Sequence, residues 1–299
     1  MAAVPSSWIL SADYAGLQNQ AFGLAEAAGL SPELRVLRPR RWPFSTSAPP
    51  GPYPGLVIGC GGAAAPVVAG MRAPGVRVVQ VQHPRMDPAK FDLVVVNRHD
   101  GLTGPNVLVT RTALHRVTQT RLAEEARLWA PRLAHLPRPL VAVLVGGQNA
   151  RFRLDAAVAA DLAAKLARMM ELDGAGVAVT PSRRTDPVVT RILSDVLRPL
   201  GGYVWDFSGE NPYFGLLALA DAIVVTQDSV SMISEAVATA APVMLAELPG
   251  SSRRQGQFTA GLIGDGRVRP FGGRLERWDV APMDDTGQAG AELRRRLGF

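Results

Sequence analysis

The 299-residue chain reads as an α/β protein of two doubly wound domains. Three observations predict this. Short β-rich apolar runs bounded by Gly or Pro alternate with longer Ala/Leu/Arg stretches of helical character. The alternation occurs twice, on either side of Leu136-Pro137-Arg138-Pro139. The length suits two domains at roughly 150 residues each, and a composition that is 47% apolar is enough for two cores.

The first half supplies six strand candidates: Trp8-Ile9-Leu10, Leu34 to Leu37, Leu56-Val57-Ile58, Val76 to Val81, Leu93 to Val96 and Val107 to Val109. Stretches 19–29 and 63–72 read as helices. Segment 38–55, dense in Pro and Gly, reads as a loop carrying Trp42 and Phe44. A helix from Arg116 to Leu136 closes this domain, 1–136. The second domain, 137–285, alternates strand 140–145, helix 155–171, strand 176–180, helix 186–198, strand 202–206, helix 213–220, strand 222–226, helix 231–239 and strand 242–246. A polar Arg/Gly segment, 250–280, follows. A last amphipathic helix near 288–298, in segment 286–299, is expected to pack back on the first domain. Two such domains facing each other would place a ligand cleft between the carboxyl ends of both sheets.

Composition narrows the function. The formal charge is +6, and Lys occurs only at Lys90 and Lys165, so the basic residues are almost all Arg. Arg suits phosphate and carboxylate, although a GC-rich genome gives the same bias. No basic tract is longer than Arg294-Arg295-Arg296, so no nucleic-acid partner is expected, while a phosphorylated small ligand or an anionic membrane surface remains open. The single cysteine, Cys60, cannot form an intramolecular disulfide and reads as inert packing. The opening MAAVPSSWIL lacks the features of a signal peptide, and the run Leu140 to Val145 is too short to span a bilayer. A cytoplasmic protein is expected, with peripheral attachment to the inner face of the membrane as an option. Trp42 and Phe44 with Arg35, Arg38, Arg40 and Arg41 would supply the contact; the alternative is a loop packed on its own domain. No Walker-type loop, H-E-x-x-H or G-x-S-x-G occurs, and the four histidines lack metal-ligand spacing, so no metal is expected.

Six stretches carry candidate chemistry, each with a plainer alternative. Gly59-Cys60-Gly61-Gly62-Ala63-Ala64 fits a loose dinucleotide fingerprint, but the next strand ends Gln80-Val81-Gln82 without the acidic ribose partner. It is equally a tight packing turn or a glycine-lined wall for another ligand. Gly146-Gly147-Gln148-Asn149 lets a ligand approach the backbone, or is an ordinary βα turn. Ser182-Arg183-Arg184-Thr185 gathers hydroxyls and guanidinium groups suited to phosphate, or is solvated surface. Thr226 to Ala236, with Asp228, Ser229, Ser231 and Glu235, leads from a strand into a helix N-terminus, a ready anion site that the Asp228 carboxylate would compete for or simply cap. Glu235 would face a sugar hydroxyl if the site is real and solvent otherwise. His83, in Gln80-Val81-Gln82-His83-Pro84-Arg85, and His99-Asp100 lie at strand ends, where a general base or a hydrogen-bonded loop histidine both fit.

Taken in order, Asp13-x-x-Gly16-x-x-Asn19-Gln20, QVQHPR at 80–85, Asn97 to Asp100, Gly146-Gly147, Ser182 to Thr185, Asn211-Pro212-Tyr213 and Thr226 to Ala236 resemble, over almost the whole chain, the plant mitochondrial-fission factor family of the elongated-mitochondria (ELM) type, which has many bacterial members. That family is similar to GT-B glycosyltransferases. The resemblance implies two Rossmann-like domains, with a nucleotide sugar near Gly146, Gly147, Gln148, Ser182, Arg183, Thr226, Asp228, Ser229, Ser231 and Glu235. It implies an acceptor side at Gly16, Asn19, Gln20, Gly61, Arg85, His99 and Asp100. The chain departs from the lipid-sugar transferases of this fold, because Asp13 to Asn19 replaces their glycine-rich loop ending in His. Asp13 and then His83 are therefore the candidate bases. Metal-independent glycosyl transfer to a membrane-associated acceptor is the leading expectation, with the nucleotide sugar as donor substrate and no cofactor. A non-catalytic membrane scaffold is the rival, and an NAD-dependent sugar-nucleotide epimerase the third.

Overall fold

The computed structural model describes residues 4–37 and 48–299. The chain opens with β1 (Ser7–Ser11), α1 (Ala15–Ala27), β2 (Glu33–Val36), β3 (Leu56–Cys60), α2 (Ala65–Gly70), β4 (Arg77–Val81), β5 (Leu93–Asn97) and β6 (Val107–Thr110). It continues with α3 (Gln119–Leu133), β7 (Leu140–Val145), α4 (Ala156–Asp173), β8 (Gly176–Pro181), α5 (Pro187–Leu197), β9 (Tyr203–Val204), α6 (Tyr213–Leu219), β10 (Ala222–Thr226), α7 (Val230–Val237), β11 (Val243–Ala246), α8 (Arg253–Gly264), β12 (Val268–Pro270) and α9 (Thr286–Leu297). The strands form two six-stranded sheets, ordered β2-β1-β3-β4-β5-β6 and β12-β11-β10-β7-β8-β9. Among the described residues, every pairing between these strands is parallel.

Both sheets are covered on both faces, which is why their central strands read as unbroken apolar runs rather than alternating ones. In the first sheet Ile9 and Ile58 enter one core while Leu10 and Val57 enter the opposite one. In the second, Leu144 and Val225 lie in one core, and Val143, Val145 and Val224 in the other. The strand order reverses between β1 and β3 in the first sheet and between β10 and β7 in the second. In doubly wound folds such a reversal opens a crevice at the carboxyl ends of the strands, where ligands bind.

The described chain separates by contact into two units, residues up to Arg116 with Asp284–Phe299, and Val117–Met283. The sequence draws its boundary after Leu136, but α3 packs with the second unit. Its Leu122, Trp129 and Leu133 join Leu216 and Leu217 of α6 in one core. The fit is tight at Gly215, where an added Cβ would lie 2.3 Å from the Trp129 ring. Gly215→Ala is therefore expected to destabilise the protein by about 1–3 kcal/mol through overpacking, read as a lower denaturation midpoint; an unchanged midpoint would contradict this α3–α6 contact.

In the first unit α9 lies against α1. Leu293 and Ala289 enter the same core as Leu24, and Gly290 sits where a Cβ would be 2.5 Å from the Ala27 carbonyl carbon. Its N-terminus is clamped by Asp285, which accepts the Arg111 backbone N–H at 2.6 Å and the Arg111 Nε–H at 3.0 Å. At the other end, Arg294 Nη1 donates to the Ala28 carbonyl at 3.1 Å.

Two elements differ from the sequence reading. Helix α1 starts at Ala15, so Gly16, Asn19 and Gln20 lie on its first turns. The polar segment 250–280 holds α8 and the edge strand β12. Arg38, Arg40, Arg41, Trp42 and Phe44 lie outside the described residues. Arg35 is engaged locally, pairing with Glu33 at 2.8 Å and lying 4.8 Å over the Trp8 ring. Among the described residues, no helix is long and apolar enough to cross a membrane.

Candidate functional site

The carboxyl ends of β7, β8 and β10, at the strand reversal of the second sheet, hold a connected polar network. Asp228, whose side chain is fully buried, is its centre. It accepts the Thr226 hydroxyl at 2.7 Å, the Gly147 N–H at 3.0 Å and Arg184 Nη2–H at 3.0 Å. The Gly146 N–H donates in turn to Thr226 Oγ1 at 2.8 Å. Thr185 extends the network, its hydroxyl donating to the Gly146 carbonyl while its Oγ1 accepts the Ser182 N–H at 2.9 Å.

This arrangement explains the two glycines. A Cβ on Gly146 would lie 2.2 Å from the Asp228 carboxylate oxygens, and one on Gly147 would lie 2.2 Å from the Arg184 carbonyl oxygen. Both are small because the protein's own groups press on them. Asp228 neither caps α7 nor competes for its free amides. Ser229 is the cap, its Oγ accepting the Met232 N–H at 3.3 Å. The two arginines divide their work, a division their types alone do not reveal. Arg184 is tied into the turn, whereas Arg183 is exposed and forms no ion pair among the described residues. Gln148 is exposed, and Ser231 is half-buried on the first turn of α7.

Glu235 does not face solvent. It is buried on α7, and the Tyr213 hydroxyl, at the start of α6, donates to its Oε2. Burial, together with the Glu235 carboxylate, pushes the Tyr213 phenol well above its ordinary value, so it remains a hydroxyl donor. Tyr213 was legible only as part of the Asn211-Pro212-Tyr213 stretch. Phe207, beyond the carboxyl end of β9, has no sequence signal at all. It holds a left-handed φ of 69° while 43% exposed, and its ring lies 4.8 Å from that of Trp205, tilted by 41°.

In the first unit, the carboxyl ends of β3 and β4 meet α1. Buried Gln80 donates through Nε2 to the Gly61 carbonyl at 3.1 Å, fixing the β3–α2 turn, where Gly61 has φ 85°. A Cβ on Gly59 would lie 2.6 Å from Gln80 Oε1 and one on Gly61 2.9 Å from Leu17, so packing keeps these two positions small, whereas a Cβ on Gly62 would meet nothing within 4 Å. The buried Cys60 thiol is pushed up by its surroundings, in keeping with inert packing. Gln82 Nε2 donates to Gln20 Oε1 at 3.2 Å, which joins the β4 turn to α1. His83 Nδ1 accepts the Arg85 N–H at 2.9 Å. Asp13 is exposed and accepts from Gln18 Nε2 at 3.3 Å; Asn19 and Gly16 are half-buried beside it in sequence. Asn97 and Asp100 close a single helical turn as a reciprocal cap, with His99 Nε2 3.7 Å from Asp100 Oδ1.

A family model described as Mitochondrial fission ELM1 matches residues 15–297. The Arabidopsis thaliana protein "Mitochondrial fission protein ELM1" is 33% identical over 277 residues, which are 82% of this chain and 64% of that one. The chain thus spans less than two thirds of that relative's length. Among solved structures, a Methanocaldococcus jannaschii UDP-GlcNAc 2-epimerase in complex with UDP-GlcNAc and UDP superposes with TM-score 0.59 at 11% identity, over 98% of this chain and 99% of that one. Acinetobacter baumannii MurG superposes with TM-score 0.51 at 13% identity, over 98% and 92%. The fold is accordingly that of the GT-B glycosyltransferases and related epimerases, and the chain itself belongs to the mitochondrial fission ELM1 family.

Proposed function

We propose that the second unit binds a nucleoside diphosphate sugar at the carboxyl edge of its sheet and that the protein transfers the sugar to an acceptor hydroxyl. The observation that carries the reading is the Asp228 network, which builds a rigid turn at the strand reversal beside the capped N-terminus of α7 and leaves Arg183 uncommitted. Arg183, Ser229 and Ser231 would hold the diphosphate. Glu235, oriented by Tyr213, would take a ribose or sugar hydroxyl, and the exposed Phe207 ring offers a face to the base. Gly147 and Asp228 shape the site, because the Gly147 amide is already taken. Asp13, an exposed carboxylate, is the candidate base. The UDP-GlcNAc held by the Methanocaldococcus neighbour makes UDP-sugars the first donors to try.

The test is thermal stabilisation of the full chain across UDP-, GDP-, ADP-, CMP- and dTDP-sugars. One series is expected to raise the midpoint, worth about 2.7 kcal/mol at a hundred times Kd. Tyr213→Phe is expected to weaken that binding roughly tenfold, because a buried carboxylate loses a donor. Stabilisation by no nucleotide sugar would contradict the reading. It would favour a non-catalytic scaffold.

A further inference from the structure

We infer that the turn Gln82 to Arg85, in the first unit, binds a phosphate group, with His83 Nε2–H and the Arg85 guanidinium as donors. Among the described residues, three that are not glycine hold a left-handed φ, and two of them, Gln82 at 72° and Arg85 at 55°, flank this turn. Such a conformation is strained for a residue with a Cβ and persists only where the surroundings impose it. Here they do. The Gln82 N–H donates to the Val95 carbonyl at 2.8 Å, the Gln82 side chain reaches Gln20 on α1, Pro84 is buried, and the Arg85 N–H donates to the His83 ring.

The consequence of that last bond is chemical. With Nδ1 accepting at 2.9 Å, the ring proton of neutral His83 resides on Nε2, so the free edge of the imidazole offers a donor and no lone pair. His83 is thus unsuited to deprotonating an acceptor and suited to binding an anion. Arg85 is exposed and forms no ion pair among the described residues. The next carboxylate along the chain, Asp87, accepts the Ala89 N–H at 2.9 Å and forms no ion pair with Arg85. A donor of fixed direction and, two residues on, an exposed guanidinium without an ion pair among the described residues are groups suited to phosphate.

Ring-15N-histidine spectra of the full chain test this, with inorganic phosphate as the probe and the His83 signal identified by its loss in His83→Gln. The expected result is an Nε2–H tautomer whose resonance shifts saturably with phosphate, and phosphate affinity reduced about tenfold in Arg85→Gln. His83→Gln, whose amide nitrogen reaches the Nε2 position, should keep phosphate binding by calorimetry, and His83→Asn, which restores only the Nδ1 side, should lose it. Vesicles of phosphatidylcholine with phosphatidic acid form a second arm. A response to free phosphate indicates a soluble ligand, and a response to vesicles alone indicates a lipid headgroup; either supports the site. An Nδ1–H tautomer, no response in both arms, or rescue by His83→Asn and not by His83→Gln would overturn it. None of these outcomes depends on nucleotide-sugar binding by the second unit.

Discussion

Asp228→Ala is expected to lower stability by about 3 kcal/mol and to abolish nucleotide-sugar binding. The carboxylate is buried and serves three donors from three segments: the Thr226 hydroxyl, the Gly147 amide and the Arg184 guanidinium. Removing it leaves the amide and hydroxyl without an acceptor and separates Arg184 from its counter-charge, a loss typical of breaking one side of a buried pair. The methyl group also leaves a void against Gly146, which has no side chain to fill it. Asp228→Asn separates shape from charge. It keeps an acceptor oxygen and most of the volume, so its loss should be intermediate, with Arg184 the group most affected. Urea denaturation of both variants checks this. A midpoint unchanged in Asp228→Ala would mean that the turn is held by other contacts and that the network is incidental.

Asp285→Ala is expected to cost about 2 kcal/mol and to alter the acid response of the first unit. Asp285 takes the backbone and side chain of Arg111 at the start of α9, and its side chain is only 10% exposed. Burial raises its pKa, but the Arg111 hydrogen bonds and charge outweigh that and hold it below the ordinary carboxylate value. A carboxylate whose folded pKa is lowered contributes stability above its unfolded value, roughly 3.9, and loses it as pH falls through the lower folded value. The wild-type advantage over Asp285→Ala should therefore be present above about pH 4 and shrink below it. Arg111 is half exposed, so solvent screening limits the effect to the lower part of the range for charged hydrogen bonds. Denaturation midpoints across pH test this, and an advantage that persists undiminished at the acid end would contradict the clamp.

Much of the fold was legible because its signals are local. Strands β3, β4, β5 and β7 are buried on both faces and so stand out as apolar runs between Gly, Pro and charged residues. Helix α8 was not legible. It carries Gly256, Gly261 and Gly264 and buries only Phe258, Thr259 and Leu262, so its periodicity is faint. The placement of α3 depends on Trp129 meeting a gap at Gly215, a contact that no window of sequence contains.

The site shows the same limit. Gly146-Gly147 and Thr226 to Ala236 stood out by composition, but their relation did not, because Asp228 bridges to Arg184 across 44 positions. Sequence spacing also could not say which of two adjacent arginines is committed to the scaffold, nor that Glu235 turns inward to Tyr213. The left-handed backbone at Gln82, Arg85 and Phe207 is a tertiary consequence, and none of these residue types announces it.

Hydrogen–deuterium exchange of the full chain, with and without saturating UDP-GlcNAc, tests the central claim most directly. Occupancy of the second unit's carboxyl edge predicts added protection at 146–149, 182–185 and 226–235, with the same segments unprotected in Glu235→Gln at equal ligand concentration. Exchange at those three segments that is unchanged by the ligand would contradict the account.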